Sequence, residues 1–422
     1  MATWYVATSG NDTNPGTISS PFATFTKGIS VINPGDTMYI RGGTYNQTFN
    51  LGTKHGTAGA PLTFAGYPGE TVTVTGTSAA LWWIQYTTNG IVNDPGNIVN
   101  YITFQNLIID GSADLAEGAD TGAYLDCHGV HDWTFDHVEI RNHRSELLHV
   151  DNGAYNIWVK NCHFHHNSTT APGDFHRYYA MYIHDTSSFG NYGVLVEDSE
   201  FDHTVGPLVQ ISPGPHRNII FRRNKLHDGQ SQGYILNNNA CGFIIASPTG
   251  GSSNIQIYNN LIYNTLPQPT TTNEASGIHI SNGSNDVRVW NNTITGMRAG
   301  NTSTSTGNGG YGIWNDQGSG PNNIIQNNIC YGNEGAGQIA MTVAGTADHN
   351  LITNPFFTNP SVYDYTLQAN SPALNAGTTL AAVTTDYAGV ARPQGAAYDI
   401  GAYERVAGDT TPPAVPTGLA VV

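Results

Sequence analysis

Thirteen of the 16 histidines fall between His128 and His227, about a quarter of a 422-residue chain. Within that stretch three short alternating segments carry further reactive side chains: AYLDC (123–127), LLHVD (147–151) and MYIHD (181–185). Read as strands, they send successive side chains to opposite faces. With Leu125, Cys127, Leu148, Val150, Met181 and Ile183 inward, the outward set is Tyr124, Asp126, His149, Asp151, Tyr182 and His184. Gln210 of LVQIS follows in the next such segment, and His279 of GIHIS two segments later. The intervening NHRSE (142–146) and DFHRYY (174–179) add Arg144, Glu146, Arg177 and Tyr179.

These residue types suit three chemistries. In the first, an Arg fork, Arg144 or Arg177, neutralises a substrate carboxylate through paired hydrogen bonds. His149 or His184 then removes the proton beside that carboxylate, and Tyr182 or Tyr179 protonates the departing oxygen, the division of labour of a β-elimination on a uronic-acid polymer. Alternatively two carboxylates among Asp126, Glu146, Asp151 and Asp185 hydrolyse a glycosidic bond as acid and base or nucleophile. A third arrangement holds a metal with His149, His184 and a carboxylate. Asp126 and Asp151 also offer oxygen ligands for Ca²⁺, although no compact calcium loop is present.

A repeat must position these groups. The segments WTFDHVEI, IWVKNCHF, VLVEDSEF, IIFRRNKL, IQIYNNLI and VRVWNNTI start at Trp133, Ile157, Val194, Ile219, Ile255 and Val287, spaced 24, 37, 25, 36 and 32 residues apart. Each follows a second alternating segment of the AYLDC or GIHIS kind, and none leaves room for a crossover helix. Parallel strands without helices imply a solenoid in which each coil buries its inward residues on the next. Asn161, Asn224, Asn259, Asn260, Asn291, Asn292, Asn327 and Asn328 recur at the tight turn, where stacked amides can bond to neighbours above and below. Composition agrees: 49 Gly and 43 Asn disfavour long helices, while 39% hydrophobic and 10% aromatic residues supply a core. A net charge of −16 with only 15 Lys and Arg argues against a nucleic-acid binder, and no apolar run is long enough to span a membrane. Cys127, Cys162, Cys241 and Cys330 lack metal-site spacing and leave open one disulfide or four buried thiols.

The pattern resembles the right-handed parallel β-helix superfamily of carbohydrate-active enzymes, including pectate lyases, chondroitinase-B-like lyases, polygalacturonases and phage tailspikes. Residues 3–45, from TWYVATSG to RGGTY, are similar to the N-terminal cap of its pectate-lyase-L type, and YDIGAYE (398–404) resembles the close of its C-terminal region. AGDTTPPAVPTGLAVV (407–422) looks like a linker and the first strand of a fibronectin type III module. The resemblance implies an all-β, single-stranded right-handed parallel β-helix over 1–406, with cap and first coils to residue 100, regular coils over 101–354 and a closing segment over 355–406. It further implies a secreted bacterial polysaccharide-degrading enzyme, expected as a monomer, without nucleic-acid or membrane partners, and most simply a lyase.

Catalysis is expected from Arg144, His149, Asp151, Arg177, Tyr182 and His184, and substrate contacts from Tyr124, Asp126, Glu146, Tyr179, Gln210 and His279. Such lyases commonly use Lys or Arg as the base, yet no outward position here is Lys; Lys27, Lys54, Lys160 and Lys225 lie elsewhere. A non-catalytic carbohydrate-binding solenoid, with Trp82, Trp83, Trp158, Trp290 or Trp314 stacking on sugars, is the reading outside the enzymes.

Overall fold

The computed structural model describes residues 1–75, 99–113, 125–143, 146–167, 179–185, 190–204, 206–229, 240–247, 251–265, 275–298, 309–316, 318–335 and 337–406, with the backbone of 84–86. The 407–422 segment expected to begin a further module lies outside the described residues. The chain divides into two compact units, Met1–Leu195 and Val196–Val422. Each is wound from short parallel strands as an all-β parallel β-helix. A coil runs through a strand of a third sheet, a turn, a strand of a first sheet, one left-handed residue, a strand of a second sheet and a loop.

In the first unit these are, for one coil, Leu148–Asp151, Tyr155–Lys160 and His163–His165. One coil earlier Leu125–His128 precedes His131–Arg141, a single long strand that His137 bends at φ 55°. The period-2 alternation sends Trp133, Phe135, Ile157 and Val159 inward to zero exposure. Phe64, Phe104 and Phe135 stack ring on ring along the interior at 5.5 and 5.7 Å. The N-terminal segment adds a short helix, Phe25–Val31, capped by the Thr24 side chain accepting from Lys27 N; Phe25 packs on Phe49 at 4.7 Å.

In the second unit the third-sheet strands are Val209–Ile211, Ala240–Ala246, Ala275–Ser281, Tyr311–Asn315 and Ile339–Met341. They pair in parallel so closely that glycine is required where backbones touch. A Cβ on Gly277 would lie 2.6 Å from the Gly312 carbonyl oxygen and 2.3 Å from Ile294 Cγ2.

The asparagine turn divides into two adjacent positions with different roles, which corrects the expectation of eight equivalent stacked residues. Asn161, Asn259, Asn291 and Asn327 are the left-handed residues, with φ of 50–58°, a conformation Asn tolerates better than most side chains. The next residue points inward and forms the main ladder, while among the left-handed ones Asn327 Nδ2 donates to Asn291 Oδ1 at 3.2 Å. Asn224 Nδ2 and backbone N both donate to Asn260 Oδ1, Asn260 likewise to Asn292, Asn292 to Asn328, and Asn328 to Asn350, all at 2.9–3.1 Å. The ladder belongs to the second unit. In the first unit the same slot holds Leu107, Val138 and Cys162, all buried.

The left-handed asparagines instead clasp the closing segment of the second unit: Asn259 donates to Thr385 O, Asn291 to Asp399 O and Gly401 O, and Asn327 to Thr378 O. This explains YDIGAYE. Gly401 adopts φ 97° where a Cβ would strike Ile329, and Glu404 forms a fully buried 2.7 Å ion pair with Arg392. Burial raises the carboxyls of Asp386, Asp399 and Glu404 above their ordinary values, against backbone donors and Arg392.

All four cysteines are buried thiols outside any disulfide, and burial lifts the Cys162 thiol to about 12. Among the described residues no helix is long and apolar enough to cross a membrane.

Candidate functional site

In the first unit the strand Leu148–Asp151 lies between Leu125–His128 and Met181–Ile183, with His149 opposite Asp126 on one side and Tyr182 on the other, and Asp151 opposite His128. Leu125, Cys127, Leu148, Val150, Met181 and Ile183 fill the interior, so strand alternation places Asp126, His149 and Tyr182 on the outer face. They are nonetheless buried, with 4%, 5% and 7% exposure. This differs from the exposed face expected. Tyr182 lies parallel to His149 at 5.3 Å and 10°, with His184 at 5.0 Å and Tyr179 at 4.8 Å from its ring.

His149 Nδ1 stands 3.8 Å from Asp126 Oδ1, an ion-pair separation rather than a hydrogen bond. Asp151 is held differently. His128 Nδ1 approaches it at 2.8 Å, while Asn152 Nδ2 lies 2.8 Å from His128 Nε2. Burial opposes ionisation of Asp151, but the His128 hydrogen bond and the fields of His149, His128 and His184 outweigh it and hold the carboxyl below its ordinary value. Hydrogen bonding to Asp151 in turn raises His128 against the cost of burial.

Two residues not singled out from the sequence support this face. His128 sits at the end of its strand, where register alone makes it the neighbour of Asp151; the alternation rule that gave Asp126 also gives His128. Asn191 is fully buried and donates to Val150 O and His184 O, tying the segment after Tyr182 to the His149 strand. No pattern in the sequence marks it, since its partners are backbone carbonyls. Asp185, a candidate carboxylate, accepts from Gly153 N and fastens a turn.

Glu146 is fully buried beside the strand of His149. Tyr124, Arg144 and Arg177 lie outside the described residues. Gln210 and His279 belong to the second unit, where Gln210 is half-buried opposite Ile244 and His279 is buried opposite Trp314. His163 and His165 lie on a second-sheet strand; their rings stack at 4.0 Å and His165 Nε2 meets Glu139 at 3.1 Å. Trp290 is buried against Val383 and Tyr398, whereas Trp158 is exposed and carries Lys160 over its ring.

Among the described residues of the first unit two triads bring potential metal-ligand atoms within 4.8 Å of one another: His149, Asp151 and His184, and Asp126, His128 and Asp151. Both mix imidazole nitrogen with carboxylate oxygen. Ca²⁺ takes six to eight oxygen ligands, so this donor set does not fit the Ca²⁺ expected on Asp126 and Asp151; it suits a borderline transition metal.

Comparison with known proteins adds to this geometry. Residues 4–192 match the family described as Pel9A-like, right-handed beta helix region. A stretch of 73 residues, 17% of this chain, is 41% identical to pectate lyase PEL9 of Emericella nidulans, and it spans only 18% of that relative's length. The crystal structure of pectate lyase Pel9A superposes with a TM-score of 0.66 at 16% identity, covering 96% of both chains. A GH136 lacto-N-biosidase from Eubacterium ramulus shares the fold at a TM-score of 0.53 and 14% identity, over 83% of this chain and 67% of its own. Residues 4–192 thus match the Pel9A-like right-handed beta helix family, and the parallel β-helix fold is shared with pectate lyase Pel9A.

Proposed function

We propose that the protein depolymerises an acidic, uronic-acid-containing polysaccharide by β-elimination, and that it acts as a secreted enzyme. The observation that carries this reading is the register of Asp126, His149 and Tyr182 across three neighbouring strands of one outer face. His149 takes the C5 proton of the uronate. The electron pair left behind forms the C4–C5 double bond, the C4–O bond breaks, and Tyr182 gives its phenolic proton to the departing oxygen. Asp126, 3.8 Å from His149 Nδ1, stabilises the imidazolium that forms. Tyr179 and His184, packed around Tyr182, set its position. Arg144 and Arg177 are the cations assigned to the uronate carboxylate.

The Pel9A-like match over residues 4–192, which include this face, supports a polysaccharide substrate. A histidine base would be this chain's departure from a lysine or arginine one. No step needs a metal, so dialysis against a chelator should leave turnover intact.

Hydrolysis is the second reading, favoured by carboxylate oxygens of Asp126 and Asp151 within 4.8 Å of each other, near the roughly 5–5.5 Å separation of a retaining carboxyl pair. Incubation with polygalacturonate, alginate and neutral glycans separates the two. Elimination yields the ultraviolet-absorbing unsaturated end together with new reducing ends; reducing ends without that chromophore would replace the lyase reading with the hydrolytic one.

A further inference from the structure

The third sheet of the second unit presents its own outward column, Gln210, Ile244, His279, Trp314 and Ala340, in unbroken register. We propose that Trp314, His279 and Asp316 form a sugar-binding subsite in this column, with Trp314 as the stacking platform; this rests on the reading of the protein as carbohydrate-active.

Three observations support it. The indole of Trp314 is backed on one side by the His279 ring, 4.2 Å away and within 3° of parallel. On the other side its register partner is Ala340, which brings only a methyl group from the neighbouring strand, and Trp314 itself is half-buried. Tyr311, on the same strand, borders the indole at 5.9 Å and 39°. A half-buried indole beside a second aromatic ring is the kind of surface on which the C–H face of a pyranose stacks.

The polar groups around the indole are held in place. Asp316 Oδ2 lies 3.0 Å from His279 Nε2, while its Oδ1 accepts from Gly318 N and its backbone N donates to Ile280 O. With Nε2–H donating to Asp316, Nδ1 of His279 carries a lone pair. The His279 side chain is only 8% exposed, and Nδ1 has no hydrogen-bond partner. A buried acceptor without a donor is uncommon, and a ligand hydroxyl is a donor of the right kind. The Tyr155 stack of the first unit lacks this arrangement. Tyr155 is sandwiched between His131 at 4.5 Å and Tyr192 at 4.7 Å, so its faces are occupied.

The test uses the full chain carrying His149→Ala, so that polymer is bound and not degraded, and titrates polygalacturonate oligosaccharides and neutral galactan oligosaccharides by calorimetry. Trp314→Ala should weaken binding of whichever glycan the parent takes by roughly tenfold or more, as loss of a central aromatic anchor does. Trp314→Phe should retain most of the affinity, and Asp316→Asn should lose a smaller part of it. Circular dichroism of each variant checks the fold, and the conservative Phe and Asn variants keep the test decisive if the alanine variant unfolds. Parental affinity in both Trp314→Ala and Asp316→Asn, or a parent that binds neither glycan, overturns the subsite. Trp314-dependent binding without any unsaturated product from the unmodified protein would remove the lyase reading and leave the subsite standing. Product formation with binding unaltered in the variants would do the reverse.

Discussion

The third sheet carries different side chains in the two units, and so does the turn that follows the first sheet. In the first unit the outward column runs Asp126, His149, Tyr182, all capable of proton transfer. In the second it runs Gln210, Ile244, His279, Trp314, Ala340, mostly apolar or aromatic. At the inward turn slot the polarity is reversed: Leu107, Val138 and Cys162 in the first unit, Asn224, Asn260, Asn292 and Asn328 in the second. The coil repeat thus specifies where a side chain points and leaves its chemistry free. One unit places reactive groups on the outside over an apolar interior; the other places its hydrogen-bonding order inside and a binding surface outside.

If that contrast is right, substitutions in the two units should fail in different ways. The largest effect should come from His149→Ala, which should lower kcat by roughly 10²–10⁴-fold, out of proportion to any shift of its unfolding transition; full activity would remove His149 from the chemistry. Tyr182→Phe keeps the ring that stacks between His149 and His184 and removes only the proton, so turnover should fall by about 10²-fold or more with KM little changed.

Substitutions in the second unit should instead register in stability. Glu404→Ala leaves Arg392 buried without its partner and should cost about 3–5 kcal/mol in urea unfolding. Asn292→Ala deprives Asn260 N and Nδ2 of their shared acceptor; with each unsatisfied buried donor worth about 1–3 kcal/mol, at least about 2 kcal/mol should be lost. Equal loss of stability from Val138→Ala and from Asn292→Ala, together with equal loss of turnover, would erase the distinction between the units.

The smallest effect is a pH dependence. His128 has its pKa raised by Asp151, so its contribution is complete below its unfolded value of about 6.5 and is lost as pH rises through the folded value. Asp151 has its pKa lowered, so its contribution is present above about 3.9 and is lost as pH falls through its folded value. The stability difference between the parent and His128→Gln should therefore be greatest between these limits and shrink toward alkaline pH. A difference that grows with pH would mean that the pair does not act as described.

Much of the fold was legible because period-2 alternation leaves few choices of face: Leu148 and Val150 are inside, and His149 lies on the opposite face, for the same reason that Ile278 and Ile280 are inside and His279 is not. The site was legible only to the level of that face. Ring stacking around Tyr182, the hold of His128 on Asp151 and the tie made by Asn191 depend on which coils are neighbours, and loops of unequal length conceal that spacing in the chain. The asparagine pairs show the limit most clearly. Their recurrence at a tight turn is visible in IQIYNNLI and VRVWNNTI, but the two residues of each pair look alike in composition.

By itself, the sequence determined the coil, its apolar interior, the column of titratable side chains in the first unit and the lack of lysine within it. Only the tertiary structure decided which asparagine of each pair faces inward, that the outer face of His149 and Tyr182 is covered and not open, and that His279 lies between Asp316 and the indole of Trp314. The physical reason is one of range. Strand alternation and turn preference act between residues adjacent in the chain, whereas burial, ring stacking and the pairing of charges are set by neighbours some 23 to 35 residues away, brought to about 4.8 Å by the winding of the coil.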